Sequence, residues 1–152
     1  MVRARYDLLE DFPDLQFSIN GGIDTYEDME EHLGKGVHGC MVGRAVINRP
    51  WMFSTVDTRL YGEASNPIAN RRELLLKYVD YAEEEYARAM VEQPNYAPKL
   101  RRGLLRHTAN LFVAEPKGKK FRYELDQRLN VKTMGVRDCV LAAMEELHAE
   151  TL

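Results

Sequence analysis

The sequence is poor in everything that would cross-link it, bind a metal through cysteine or carry it through a bilayer. Its 152 residues include two cysteines, Cys40 and Cys139. That is too few for a disulfide framework or a zinc pattern, so no metal ligand is expected and a reducing compartment is the default. Both lie in apolar stretches and are expected to be interior rather than reactive. No apolar run approaches the roughly 20 residues of a membrane helix, and Met1-Val2-Arg3-Ala4-Arg5-Tyr6 leads into Asp7, Glu10, Asp11 and Asp14 rather than a signal core. A membrane partner is therefore not expected. Low-complexity tracts are missing, and the helical region has no internal repeat. What remains, 45% hydrophobic and 30% charged, is globular in composition.

The net charge of −3 conceals a segregation. Residues 1–66 carry six basic and eleven acidic side chains, whereas residues 98–132 carry ten basic against three acidic, a local excess of seven positive charges. An excess of that kind attracts polyanions through counterion release, whatever the sign of the whole molecule.

Two stretches organise the first third. Leu15-Gln16-Phe17-Ser18-Ile19 ends in Asn20-Gly21-Gly22-Ile23, and Gly39-Cys40-Met41-Val42 ends in Gly43-Arg44-Ala45. Each is a short apolar run closed by glycine and followed by a segment able to start a helix. Both read as buried parallel strands. At such strand ends, glycine lets a ligand approach the backbone, and the next helix turns its N–H groups and positive dipole end to the same place. Two adjacent units of this form match the phosphate site built by the last loops of a (β/α)8 barrel. Two parallel strands cannot make an independent sheet, because both edges stay open. The expectation is therefore α/β plus α: the last two βα units of a TIM barrel, then an all-α helical bundle.

Other segments punctuate the chain in order. Residues 5–10 read as a helix end, and Asp24 or Thr25 as the cap of a helix finishing at Gly34. Asn48-Arg49-Pro50-Trp51 breaks or restarts the helix begun at Arg44. Gly62-Glu63-Ala64-Ser65-Asn66-Pro67 is the expected boundary, giving 1–64 as the barrel end and 67–152 as the helical domain. Beyond it, residues 70–90 place Leu75, Val79, Ala82, Tyr86 and Ala89 on one stripe. Residues 99–112 do the same with Leu100, Leu104 and Leu111, and residues 118–130 with Phe121, Leu125 and Leu129. Thr133 is the expected cap of a last helix carrying Val136, Val140, Ala143, Met144 and Leu147. Tyr78, Tyr81 and Tyr86, at helical spacing, are expected in the core, and His32, His38 and His148 at the surface or in packing.

Arg5-Tyr6-Asp7 with Asp11-Phe12-Pro13, the two glycine-tipped stretches, Asn48-Arg49-Pro50, and Arg106-His107 before Leu111-Phe112 together give the chain a resemblance to the C-terminal part of the tRNA-dihydrouridine synthase family. The likeness is nearest to its A-type branch and runs almost from end to end. After Phe112 the chain departs from the family's glycine-containing turn and Pro-Gly, reading Val113-Ala114-Glu115-Pro116-Lys117-Gly118.

The resemblance implies an FMN enzyme that uses NADPH to reduce uridines of tRNA, with a helical domain gripping the RNA. It implies FMN phosphate contacts at Asn20, Gly21, Gly22, Gly43 and Arg44. It implies RNA contacts at Lys99, Arg101, Arg102, Arg106, His107, Lys117, Lys119, Lys120 and Arg122. The family's catalytic cysteine, flavin-contacting lysine and histidine belong to earlier barrel strands, so no catalytic residue is expected here. Neither Cys40 nor Cys139 fits that role. The expected function is thus the C-terminal portion of a flavin-dependent tRNA-dihydrouridine synthase, inactive alone, in a cytoplasmic or organellar setting. Its expected partners are tRNA and a missing N-terminal barrel portion or a chain covering the open strand edges. The alternative is a non-catalytic RNA-binding or assembly module derived from such an enzyme.

Overall fold

Thr25 sets the first helix of the described βα unit. Its backbone is extended, its hydroxyl accepts from Asp28 N at 3.1 Å, and the Asp28 carboxylate accepts from Thr25 N at 2.9 Å and Asp24 N at 3.1 Å. This reciprocal cap satisfies donors that helix geometry leaves orphaned. The computed structural model describes the backbone of residues 3–152 and side chains from Tyr6 onward; Met1, Val2 and the Arg5 side chain of the Arg5-Tyr6-Asp7 motif lie outside the described residues. The chain divides into two compact units, residues 1–48 and 49–152.

In the first unit α1 (Arg3–Asp11) leads to β1 (Ser18–Asn20), α2 (Tyr26–Gly34), β2 (Gly39–Met41) and α3 (Arg44–Asn48). The strands pair in parallel, Ser18 opposite Gly39, Ile19 opposite Cys40 and Asn20 opposite Met41. Gly39 faces Ser18 across this pairing, and a Cβ there would sit 2.8 Å from Ser18 Oγ, so that hydroxyl would have to turn away. Ile19, Ile23, Tyr26, Met29, Val37 and Ala45 form the buried interior. The expectation of strands covered on both faces is corrected: Ser18 and Asn20 are exposed, Met41 is 54% exposed and Cys40 is half-buried. The described residues of this unit leave the second face of the pair uncovered.

In the second unit Pro50 restarts the chain as a 3-10 helix (Pro50–Thr55), followed by α4 (Val56–Leu60). The Gly62–Pro67 stretch lies inside this unit, tied back where the Asn66 amide oxygen accepts from Thr58 N at 3.2 Å. Four longer helices come next: α5 (Arg71–Glu92), α6 (Ala97–Arg106), α7 (Gly118–Leu129) and α8 (Val136–Met144). α5 is capped by Asn70, whose side-chain oxygen accepts from Glu73 N at 2.8 Å. The stripe along α5 buries Leu75, Val79, Ala82 and Ala89, with Tyr86 packed partly buried beside them.

α5 packs on α6 and α8, and α7 on α8, around Leu104, Leu105, Leu111, Phe112, Phe121, Leu125, Val140 and Met144. Phe112 and Phe121 meet edge to face at 4.7 Å, a favoured aromatic geometry. Gly118 opens α7 under a hard constraint, because a Cβ there would lie 1.9 Å from the Phe112 carbonyl oxygen. Arg137 joins α8 to α5, donating to Glu83 Oε2 at 2.9 Å and pairing with Asp80. Tyr78 donates to Leu104 O at 2.8 Å, and Tyr81, against the core expectation, is half exposed.

Two boundaries shift. The expected helix 99–112 ends at Arg106, with His107–Asn110 tightened into a 3-10 turn where Thr108 Oγ1 donates to Leu105 O at 2.8 Å. The last helix is capped by Gly135, not Thr133, because a turn closed by Met134 N on Val131 O at 3.2 Å holds Thr133 outside it. No helix among the described residues is long and apolar enough to cross a membrane.

Candidate functional site

The register of the two strands makes the site in the first unit. With Asn20 opposite Met41, the chain leaves both strands at the same end, and the two glycine-containing loops beyond them converge. Asn20, Gly21, Gly22, Gly43 and Arg44 all line one cleft of about 200 Å³, completed by Ile23, Asp24 and Met41. Gly21 (φ +106°) and Gly22 (φ +72°) sit in the left-handed region, which favours glycine. Gly43 is under no such demand, and a Cβ there would only touch Met41 Sδ at 3.8 Å.

The entrance to α2 departs from the sequence expectation. The N–H groups of Asp24, Thr25 and Asp28 are taken by the reciprocal cap and are not left for a ligand. The Thr25 hydroxyl, then the two backbone N–H groups, hold the Asp28 carboxyl below its ordinary 3.8. A capping carboxylate therefore already occupies that helix end. The cleft itself is lined by the cationic Arg44 and by the Gly21-Gly22 and Gly43 backbone.

The cysteines behave as structural groups. Cys40 Sγ is 3.8 Å from Met29 O, and burial raises its thiol above the ordinary 9.0, so the nucleophilic thiolate is disfavoured. Cys139 is fully buried. Among the histidines, His32 Nδ1 contacts the Tyr6 hydroxyl at 2.5 Å, and His38 Nδ1 accepts from Phe17 N at 3.3 Å. No cluster of potential metal ligands occurs among the described residues.

In the second unit the cationic residues sort into three kinds. Arg101 is the plain correction: it is 5% exposed and turned inward. Its guanidinium donates to Val131 O at 3.0 Å, to Arg128 O and Lys132 O at 3.4 Å each, and to Cys139 Sγ at 3.3 Å. A cation there satisfies carbonyls at the C-terminal end of α7, so it is not offered to RNA. Its position could have been read from sequence, since it shares the helical stripe of Ala97, Leu104, Leu105 and Thr108.

Arg102, Lys120 and Arg122 are exposed but engaged. Arg102 reaches Asp126 at 3.2 Å and Asn130 at 2.6 Å, Lys120 pairs with Glu146, and Arg122 reaches Asn110 at 3.3 Å. Lys99, Arg106, His107, Lys117 and Lys119 are exposed with no side-chain partner among the described residues. Sequence reasoning missed the residue that shapes the loop before α7. Arg71 lies over the Trp51 ring at 4.8 Å, donates to Leu111 O at 3.1 Å and pairs with Glu115. In that loop Ala114 (φ +68°) and Lys117 (φ +60°) adopt left-handed backbone, a region that favours glycine.

Comparison with known proteins bears on both units. A family model described as dihydrouridine synthase (Dus) matches residues 3–147. A tRNA-dihydrouridine(20/20a) synthase of Synechocystis sp. is 32% identical over 130 residues, covering 86% of this chain and 36% of that protein. Proteins of the same name from Vibrio vulnificus (29% over 131 residues; 86% of this chain, 37% of that protein) and Pseudomonas aeruginosa (40% over 80 residues; 53% and 24%) are also similar. The chain thus spans about a third of the length of the first of these relatives. The A-type resemblance agrees with the 20/20a designation they carry. With nearly the whole chain inside the matched region, it belongs to the dihydrouridine synthase family.

Proposed function

We propose that this chain supplies the FMN phosphate cradle and the tRNA-binding helical domain of a flavin-dependent tRNA-dihydrouridine synthase, and that it does not catalyse uridine reduction alone. The observation that carries the reading is the parallel register that brings Gly21-Gly22 and Gly43-Arg44 to one cleft. A guanidinium beside left-handed glycines fits a phosphate dianion. FMN, when bound, supplies hydride transfer, with NADPH as reductant. The residues of this chain hold only its phosphate end.

Inactivity in isolation is supported by the chain's own cysteines, one buried and one held as a thiol, neither suited to protonate a substrate carbon. It is also supported by the uncovered sheet: Phe12, Leu15, Met41 and Ile47 are each at least half exposed in the first unit. An apolar surface of that kind beside open strand edges calls for a covering partner. The earlier strands of the barrel, on the same or another polypeptide, are that partner.

The phosphate reading separates FMN from riboflavin, which differ by the phosphate alone. Titration of the chain followed by ligand-observed NMR is expected to show weak, saturable binding of FMN, abolished by Arg44→Ala, and none of riboflavin. Equal binding of the two ligands would sink the cradle. In the completed enzyme, Gly22→Asp or Arg44→Ala is expected to release the flavin, read as loss of its visible absorbance.

A further inference from the structure

Resting on that reading, we infer that an RNA sugar–phosphate backbone lies directly on α6 at Gly103, in the gap between Lys99 and Arg106. Glycine inside a helix is destabilising relative to alanine, and Gly103 stands in the interior of α6. Nothing among the described residues gives a reason for it. Its φ lies outside the left-handed range, it is exposed, and a Cβ placed there would meet nothing within 4 Å. The requirement for a bare helix surface comes from outside the chain.

The surroundings of the bare spot identify the occupant. Residues three and four apart share a helix face, so Lys99, four before, and Arg106, three after, flank Gly103 about 10 Å apart along the axis. Both are exposed and unpartnered among the described residues. Arg102 is drawn off the face by Asp126 and Asn130 on the α7 side, which clears the strip further. Leu100, Leu104 and Leu105 point to the core. Two free cations around exposed helix backbone fit a run of phosphates, and a side chain at 103 would hold that run away from both. Lys117 and Lys119 are likewise exposed and unpartnered among the described residues of the same unit.

The test compares Gly103→Ala and Gly103→Leu with the parent chain in binding an unmodified tRNA transcript, with thermal midpoints taken on the same samples. Both variants are expected to melt at or above the parent. Affinity is expected to fall about threefold for alanine and about tenfold or more for leucine, with a shallower dependence on salt. Leucine binding within about twofold of the parent overturns the inference. So does a lower midpoint for Gly103→Ala, which would mean that the fold itself needs the glycine. Displacement of tRNA by polyglutamate at equal charge overturns RNA in favour of an acidic protein. The Lys99→Ala/Arg106→Ala double variant separates the two levels. If the double variant loses affinity and Gly103→Leu does not, only the close approach fails; if the parent does not bind tRNA, the functional reading fails with it.

Discussion

Arg101 and Lys99 sit two positions apart on one helix and do opposite jobs, and charge type alone does not separate them. Arg101 is sealed against three carbonyls and a thiol, whereas Lys99 is exposed and unpartnered among the described residues. Replacing Arg101 with alanine removes the side-chain donor that bridges those carbonyls and opens space beside Cys139. A loss of about 2–4 kcal/mol of stability is expected, read by chemical denaturation. Lys99→Ala is expected to change stability by less than about 0.5 kcal/mol while weakening tRNA binding. A Lys99 variant that unfolds early, or an Arg101 variant as stable as the parent, would reverse the assignment.

At the scale of elements, α2 shows how a local cap determines what a site can hold. Asp28 titrates below 3.8 in the folded protein, chiefly through the Thr25 hydroxyl. A carboxyl depressed on folding adds stability that is fully present above the unfolded value and lost as pH falls through the folded one. The cap therefore strengthens the unit at neutral pH and fails only in acid, below about pH 4. Thr25→Ala is expected to cost about 1 kcal/mol and to move the Asp28 carboxyl midpoint, followed by NMR, upward towards 3.8. A midpoint unmoved by that change would remove Thr25 as the cause.

The same scale shows what was legible. The α5 stripe and the convergence of the two glycine-tipped strands could be read, because helical period and strand-end glycines are local features. The stop of α6 at Arg106 could not, since it depends on Thr108 turning its hydroxyl back to Leu105 O. The Gly135 start of α8 depends likewise on how residues 131–134 turn. The direction of Arg101 was half legible, as its place on an apolar stripe argued against its charge. Arg71 was invisible, because Trp51, Leu111 and Glu115 reach it from distant points of the sequence.

For the whole molecule, the segregated charge matters only as far as it is free. Residues 98–132 carry ten basic side chains, but several are engaged within the protein: Arg101 by carbonyls, Arg102 by Asp126, Lys120 by Glu146 and Arg128 by Glu124. The cations of the expected RNA set that remain unpartnered among the described residues are Lys99, Arg106, Lys117 and Lys119. Each phosphate neutralised contributes about −0.7 to −0.9 to the slope of log affinity against log salt. Binding of tRNA through these four is therefore expected to give a slope of about −3. Involvement of the full basic run would steepen it to about −7 or beyond, and a slope near zero would exclude phosphate contacts. Lys117→Ala/Lys119→Ala is expected to bring it to about −1.5, whereas Arg101→Met, judged under conditions where it stays folded, is expected to leave it unchanged. The slope thus counts the cations that face RNA, and a reduction of it by Arg101→Met would mean that the inward-facing arginine opens to the ligand after all.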